Sequence, residues 1–256
     1  MNMISIFNRF MSSEAKLALG LAILTSCASA SYPAAKEPWS EFGEGATVIG
    51  ASTGWSFYQG KVKAAGKSGV LTGDSGSDTT TLTPNYGVAL KMHHMLTDKF
   101  ALGAIVEYRS FSPDSLKPLS ATLTAEDFET LHLILSSRYF FDAFDTASRW
   151  RPLIGLDLSY VPEVDLGDVD VAYPASTSLP NERVSIVGSE YWGLGGLAGL
   201  QYLISENTLF DIGLFYEYAL STSDATVSFQ SLGGAQADMA LRAQGLIFYF
   251  GLSYSF

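Results

Sequence analysis

The 256-residue chain is poor in charge, has one cysteine and contains no long apolar run beyond its first residues. Charged residues make up 16% of it, against roughly a quarter in ordinary soluble domains, so water is not expected to be its only solvent. A helix that spans a bilayer needs about 20 consecutive apolar residues. Nothing after the N-terminus approaches that length, which excludes a helical membrane protein. Lys and Arg total 15 against 26 Asp and Glu, with no dense basic block. Nucleic-acid binding is excluded on that ground, because clustered cations that neutralise phosphates dominate such affinity. The lone Cys27 cannot build an internal disulfide framework.

The apolar run that does exist is short and terminal. Arg9 and Lys16 precede the stretch from Leu17 to Leu24, and the small-residue site Ala28-Ser29-Ala30 follows. This order of basic, apolar and small residues is that of an export signal over residues 1–30. Met11 is an alternative start, since the sequence from there is a complete signal by itself. Leu24-Thr25-Ser26-Cys27 resembles a bacterial lipobox, so lipidation at Cys27 competes with cleavage after Ala30. Residues 31–44 then form a short N-terminal segment, and 45–256 one domain.

Within that domain the period is 2, the spacing that sends successive side chains to opposite faces of a strand. Near the C-terminus Leu246, Phe248, Phe250, Leu252, Tyr254 and Phe256 share one face, and Gly245, Ile247, Tyr249, Gly251, Ser253 and Ser255 the other. The pattern recurs over 48–57, 86–93, 100–109, 131–139, 154–160, 191–202 and 210–220, which makes eight strands. Ionisable groups fall on the face that carries glycine and serine. Aromatics gather near strand ends, with Trp55, Phe57, Tyr108, Tyr160 and Trp192 at one rim and Phe100, Phe141, Trp150 and Phe256 at the other. Long connections start at Gln59, Ser112, Glu163 and Ser221, and shorter ones lie at Thr97-Asp98, Asp142 and Ser205. The fold class expected is all-β: an antiparallel up-and-down transmembrane barrel of eight strands, or ten if a long connection supplies another spanning hairpin. A soluble barrel would place its apolar face inward instead.

These features together resemble the small outer-membrane β-barrel superfamily of Gram-negative bacteria, which includes the OmpA transmembrane domain, OmpW and the opacity-type surface proteins. The terminal GLSYSF, with Tyr254 and Phe256 on the apolar face, is similar to the signal read by the barrel-assembly machinery. The resemblance implies an outer-membrane location with both termini periplasmic, contact with outer-membrane lipid and lipopolysaccharide, a monomer, and no cofactor or metal. Function is less determined, because one scaffold hosts unrelated roles. A structural or surface-interaction role, with an extracellular ligand or host surface met by the long loops, is one expectation. A narrow OmpW-like or porin-like channel for small solutes is the alternative, and a lipid-modifying enzyme a minor one.

Parity sends Lys91, His93, Glu107, Arg109, His132, Arg138, Asp157, Asp211 and Glu217 into the lumen. Eight strands enclose an interior just wide enough for side chains to fill, and buried charges must pair there. A plug of ion pairs follows, with Arg138 and Asp211 low, Lys91 and Asp157 intermediate, and Glu107, Arg109 and Glu217 higher. Lumenal glycines such as Gly155, Gly193, Gly199 and Gly213 leave room between the charged layers, which favours the channel. Catalytic signals are weak. Gly73-Asp74-Ser75-Gly76 matches a protease nucleophile string, but no histidine precedes it in the mature chain, and a serine nucleophile needs a positioned base. A lipid-modifying enzyme would use His132, but the H-x-S-N motif of outer-membrane lipid A deacylases is absent, since Leu133 and Ile134 follow it and Ser136 lies two lumenal positions further along. Glu163, Asp165, Asp168 and Asp170 offer hard oxygen ligands, though their alternation with valines reads as a solvated acidic hairpin. Lys61, Lys63 and Lys67 read as contacts for lipopolysaccharide phosphates or as plain surface charge.

Overall fold

A computed structural model describes residues 39, 42–83, 86–119, 121–144 and 148–256. The expected signal, Cys27 and most of the 31–44 segment lie outside the described residues. Thirteen strands follow in order: β1 (Thr47–Ser68), β2 (Ser75–Thr83), β3 (Tyr86–Thr97), β4 (Phe100–Pro113), β5 (Thr122–Ala125), β6 (Phe128–Phe140), β7 (Trp150–Val161), β8 (Val164–Ala172), β9 (Glu182–Gly188), β10 (Tyr191–Ser205), β11 (Thr208–Ala219), β12 (Ser223–Phe229) and β13 (Ala235–Ser255).

Eight of them form a closed antiparallel ring, β1-β3-β4-β6-β7-β10-β11-β13, and the pairing of β13 with β1 completes it. Closure leaves no open edge, which an apolar solvent around the sheet demands because it cannot hydrogen-bond a free backbone group. Val48 pairs with Ser255, so both ends of the chain's barrel meet at one rim. Tight turns join β3 to β4 and β10 to β11 at that same rim. It is called the near end below, and the opposite rim, where the long connections lie, the far end.

Parity in the ring is as the sequence indicates. Leu90, Leu102, Val106, Leu135, Leu156, Leu214 and their like point outward and are exposed, while Ser136, Asp157, Ser159 and Glu217 are buried inside. Rings meet across neighbouring strands at both rims, Tyr160 with Trp192 and Trp55 with Phe248 at one and Trp150 with Tyr202 at the other, where Tyr254 also meets Phe256 at the end of β13.

The long connections depart from the expectation of loops. β1 runs on to Ser68 and β13 starts at Ala235, pairing from Val48↔Ser255 as far as Gly66↔Ala237. β2 and β12 add to their outer edges, and β5, β8 and β9 form a separate three-stranded sheet. No spanning hairpin is added, so the ring stays at eight. The reason is visible along β1. Outward positions change from Trp55 and Phe57 to Gln59, Lys61 and Lys63, while inward ones change from Ser52, Gly54 and Ser56 to Tyr58, Val62 and Ala64. The strand keeps its period, yet its two faces exchange chemistry as it leaves the apolar surroundings. Beyond that level the fold is a water-facing β-structure with its own core, in which Val62, Val169, Val171, Ile186, Val227 and Met239 pack together. Gly233 and Gly234, at φ of 68° and 78°, make the turn from β12 to β13 in a region that side chains avoid.

Candidate functional site in the lumen

The buried charges form two layers. The upper one crosses the waist of the molecule, where the membrane-facing part of the ring meets the far-end extension. Arg109 of β4 pairs with Glu217 of β11 across the lumen, and its Nη2 donates to Glu107 Oε2 at 2.8 Å. Tyr58 of β1 accepts from Arg109 Nη1 at 2.6 Å and donates to Glu217 Oε2 at 2.6 Å. Ser159 of β7 donates to the other oxygen of Glu217. His132 stands beside this group, its Nδ1 3.8 Å from Glu217 Oε1 and its Nε2 2.9 Å from Thr130 Oγ1. One carboxylate thus gathers groups from four strands, and Arg109 is 1% exposed.

The lower layer lies toward the near end. Lys91 pairs with Asp211, which also accepts from Gln201 Nε2 at 2.6 Å and Ser253 Oγ at 3.1 Å. Arg138 grips Asp157 through both of its terminal nitrogens, and His93 Nε2 lies 2.8 Å from Ser136 Oγ. Arg151 is held differently. Its Nε and Nη2 donate to Gln201 Oε1 at 2.8 and 2.6 Å, and its guanidinium sits between the rings of Trp39 and Phe140, 4.2 and 4.1 Å from their centroids. Phe42 is buried below it with Val48, Leu203 and Leu209, so residues of the N-terminal segment stopper the near-end mouth.

All nine residues singled out as lumenal lie in these two layers. His94 points outward to Thr47, and so faces away from His93. Sequence reasoning passed over Arg151, which precedes the expected strand over 154–160, although the phase of Gly155 and Asp157 extends back to it through Leu153. Tyr58 sits one step beyond the point where β1 was expected to end. Nothing in the sequence marks Trp39 or Phe42 as part of the interior. With Arg151 counted, the lumen balances Lys91, Arg109, Arg138 and Arg151 against Glu107, Asp157, Asp211 and Glu217.

The lumenal glycines do not leave the open space expected of them. A Cβ at Gly193 would come within 2.7 Å of Glu217 Oε1, one at Gly213 within 2.8 Å of Tyr249 Oη, and one at Gly155 would strike Arg138. Each gap is occupied by the polar side chain facing it. A cavity of about 90 Å³ lies among Ser52, Lys91, Glu107, Asp157 and Tyr249, below the waist. A second space of about 70 Å³ lies above, lined by Leu82, Phe111, Leu123, Phe128, Val164 and Ile186 among others.

Among the described residues, the structure places the groups of the enzyme and cation readings as follows. His132 meets Thr130, whereas Ser136 is taken by His93. Asp165 accepts from Gly167 N and Asp170 pairs with Arg183, both within the β8-β9 hairpin. Among the described residues no three His, Cys, Asp or Glu gather in a way that holds a metal ion.

A closed eight-stranded ring with an apolar outer belt and a polar, ion-paired interior is a membrane barrel, and comparison with known proteins agrees. Residues 122–239 match the family described as Opacity family porin protein. Outer membrane protein W of Escherichia coli is 29% identical over 196 residues, 75% of this chain and 81% of that protein, and its Salmonella typhimurium counterpart is 26% identical over the same length. The crystal structure of the outer membrane protein OprG from Pseudomonas aeruginosa superposes with a TM-score of 0.54 at 18% identity, covering 84% of this chain and 97% of that one. This chain is a small outer-membrane β-barrel. In outer-membrane barrels, aromatic rims of this kind lie at the two membrane interfaces.

Proposed function

We propose that this barrel is a closed outer-membrane scaffold that works from its far end and is not an open pore for hydrated solutes. In this reading the near end, with the start of β1, the end of β13 and the tight turns, faces the periplasm, and the far-end extension stands outside the cell, as in barrels with short periplasmic turns and long extracellular loops. The observation that carries it is the waist. Arg109, Glu217, Glu107 and Tyr58 bond to one another across the lumen, and below them the Trp39–Phe42 stopper narrows the exit. Water and ions meet two successive barriers. Surface interaction through the far-end β-structure, whose outer faces are polar and whose core is packed, is the role such a body suits.

Liposome swelling tests this directly. Vesicles holding the barrel should swell in an isosmotic solution of a small neutral sugar no faster than empty vesicles, and rapid swelling would refute a closed scaffold. A second reading, reception of small apolar molecules, is favoured by one feature: most of the side chains around the space above the waist are apolar, among them Leu82, Phe111, Phe128, Val164 and Ile186. At about 70 Å³ it is smaller than the roughly 150 Å³ cavity that holds benzene in an engineered protein, so occupancy requires Phe111 or Phe128 to move. Enhanced fluorescence of a naphthylamine probe, abolished by Met239→Gln, is the expected sign of such binding; no enhancement would discard it.

A further inference from the structure

The outer face of β1 and β13 carries an arrangement that the closed-scaffold reading leaves unused. From the near end upward it presents three zones. First comes the aromatic rim, where Trp55 lies 6.2 Å from Phe248 and 5.7 Å from Phe250. Next come Lys61 and Arg242, directly opposite each other in the β1–β13 register, with Lys63 one outward step further. Last is an open saddle of about 760 Å³ across β2, β1, β13 and β12, with Ala65 and Ala240 in its floor and Lys63, Ser77, Asp224 and Thr226 among its sides.

Two details set these cations apart. Like charges directly opposite in an antiparallel pair are destabilising, yet Lys61 and Arg242 face one another in a chain whose acidic residues outnumber its basic ones by 26 to 15. Moreover, among the described residues neither Lys61, Lys63 nor Arg242 has a carboxylate within ion-pair distance, whereas Lys67 is paired with Asp238 and Arg183 with Asp170. Arg242 is also fixed in place. Its Nε and Nη2 donate to Ala219 O at 3.1 and 2.5 Å, and its guanidinium lies 4.3 Å from the centroid of the Tyr218 ring. The cation is thereby anchored beside the Tyr218 ring, and among the described residues no hydrogen bond is made by Nη1.

We infer that this face docks a phosphorylated glycolipid of the surrounding leaflet, its acyl chains along the Trp55–Phe248–Phe250 belt, a phosphate between Lys61, Lys63 and Arg242, and its sugars across the saddle. A phosphate supplies the negative charge that the opposed cations lack. The flexible lysines reach it from just above the apolar belt. The saddle fits the sugars because its floor is alanine and its sides offer hydroxyls and carboxylates to hydroxyl-rich rings. Asp238, at the saddle's upper side, is already engaged by Lys67 at 3.1 Å and Thr226 at 2.7 Å, which lowers its repulsion of the phosphate. The location of the face in the outer leaflet rests on the orientation given under Proposed function; the binding itself does not.

The test is a titration of the full chain, in nanodiscs of zwitterionic lipid, with bis-phosphorylated lipid A, the same lipid dephosphorylated, and inorganic phosphate. Saturable binding of the phosphorylated lipid, at least tenfold tighter than the dephosphorylated one and not displaced by inorganic phosphate, is expected. Lys61→Gln with Lys63→Gln should weaken it by more than tenfold, taking about fivefold for each surface cation removed, while Lys117→Gln, away from the saddle, should change it less than twofold. Lys61→Glu gives Arg242 an opposite charge across the strands, so it should abolish binding without lowering the unfolding midpoint, a combination that a purely structural role for Lys61 does not produce. Equal affinity for the dephosphorylated lipid, full displacement by inorganic phosphate, or unchanged binding by the Lys61/Lys63 variant would overturn the inference. Orientation is read separately, by labelling Ser75→Cys in intact cells with an impermeant maleimide: failure to label refutes the orientation, and binding in nanodiscs stands or falls without it.

Discussion

Glu217 is the residue on which the waist depends. It accepts from Tyr58 and Ser159 and pairs with Arg109, and each of these comes from a different strand of the ring. Removing one member of a buried ion pair leaves its partner uncompensated and costs about 3–5 kcal/mol, whereas exchanging both for apolar groups of like volume is often close to neutral. Glu217→Gln should therefore destabilise the barrel by roughly that amount, read from urea unfolding in lipid vesicles, and Arg109→Met combined with Glu217→Leu and Glu107→Gln, which leaves no charge of the group without its partner, should recover most of the loss. Retention of Glu107 beside Arg109 makes the single Glu217 variant the milder of the two possible disruptions. If Glu217→Gln unfolds at the wild-type urea concentration, the waist carries no such coupling. Gly193 shows how the residue scale reaches into packing: it pairs with Ala219 in register and leaves its lumenal side to the Glu217 carboxylate and Ser159.

At the scale of the strand, the informative event is the exchange of faces between Phe57 and Lys61. A strand that reads greasy outside and polar inside was legible from alternation alone, so all eight ring strands were visible in the sequence. The extensions of β1 and β13 were not, because the same alternation with inverted chemistry looks like the end of the pattern. β12 and β9 illustrate this: Ala225, Val227, Phe229, Val184 and Ile186 are buried between polar neighbours, a pattern proper to a sheet in water and unlike that of the ring. Depth can be tested by substitution. Leu135, 62% exposed on the outward face of β6, faces the membrane, and Leu135→Arg should cost about 2–4 kcal/mol in lipid vesicles. Ser185→Arg, on the exposed face of β9, should stay within about 0.5 kcal/mol of wild type. Similar costs at the two positions would mean that the boundary between membrane and water is not where the faces exchange.

The whole molecule is two bodies built on shared strands, a membrane ring closed by ion pairs and a far-end sheet structure with an apolar core. The pairing of lumenal charges was legible as a set of residues, since parity assigns each its face. Their grouping into two layers was only roughly so, because shear between strands decides which levels meet. The N-terminal stopper was not legible, as Trp39 and Phe42 belong to no periodic segment. In the closed-scaffold reading proposed above, the waist and stopper interrupt the aqueous path, and the lumenal charges balance as four cations and four carboxylates. The most direct measurement is conductance of the refolded mature chain in planar bilayers. The wild type should be silent, and Arg109→Ser with Glu217→Ser, which empties the waist, should produce discrete openings; steady open channels in the wild type would contradict a lumen closed at the waist.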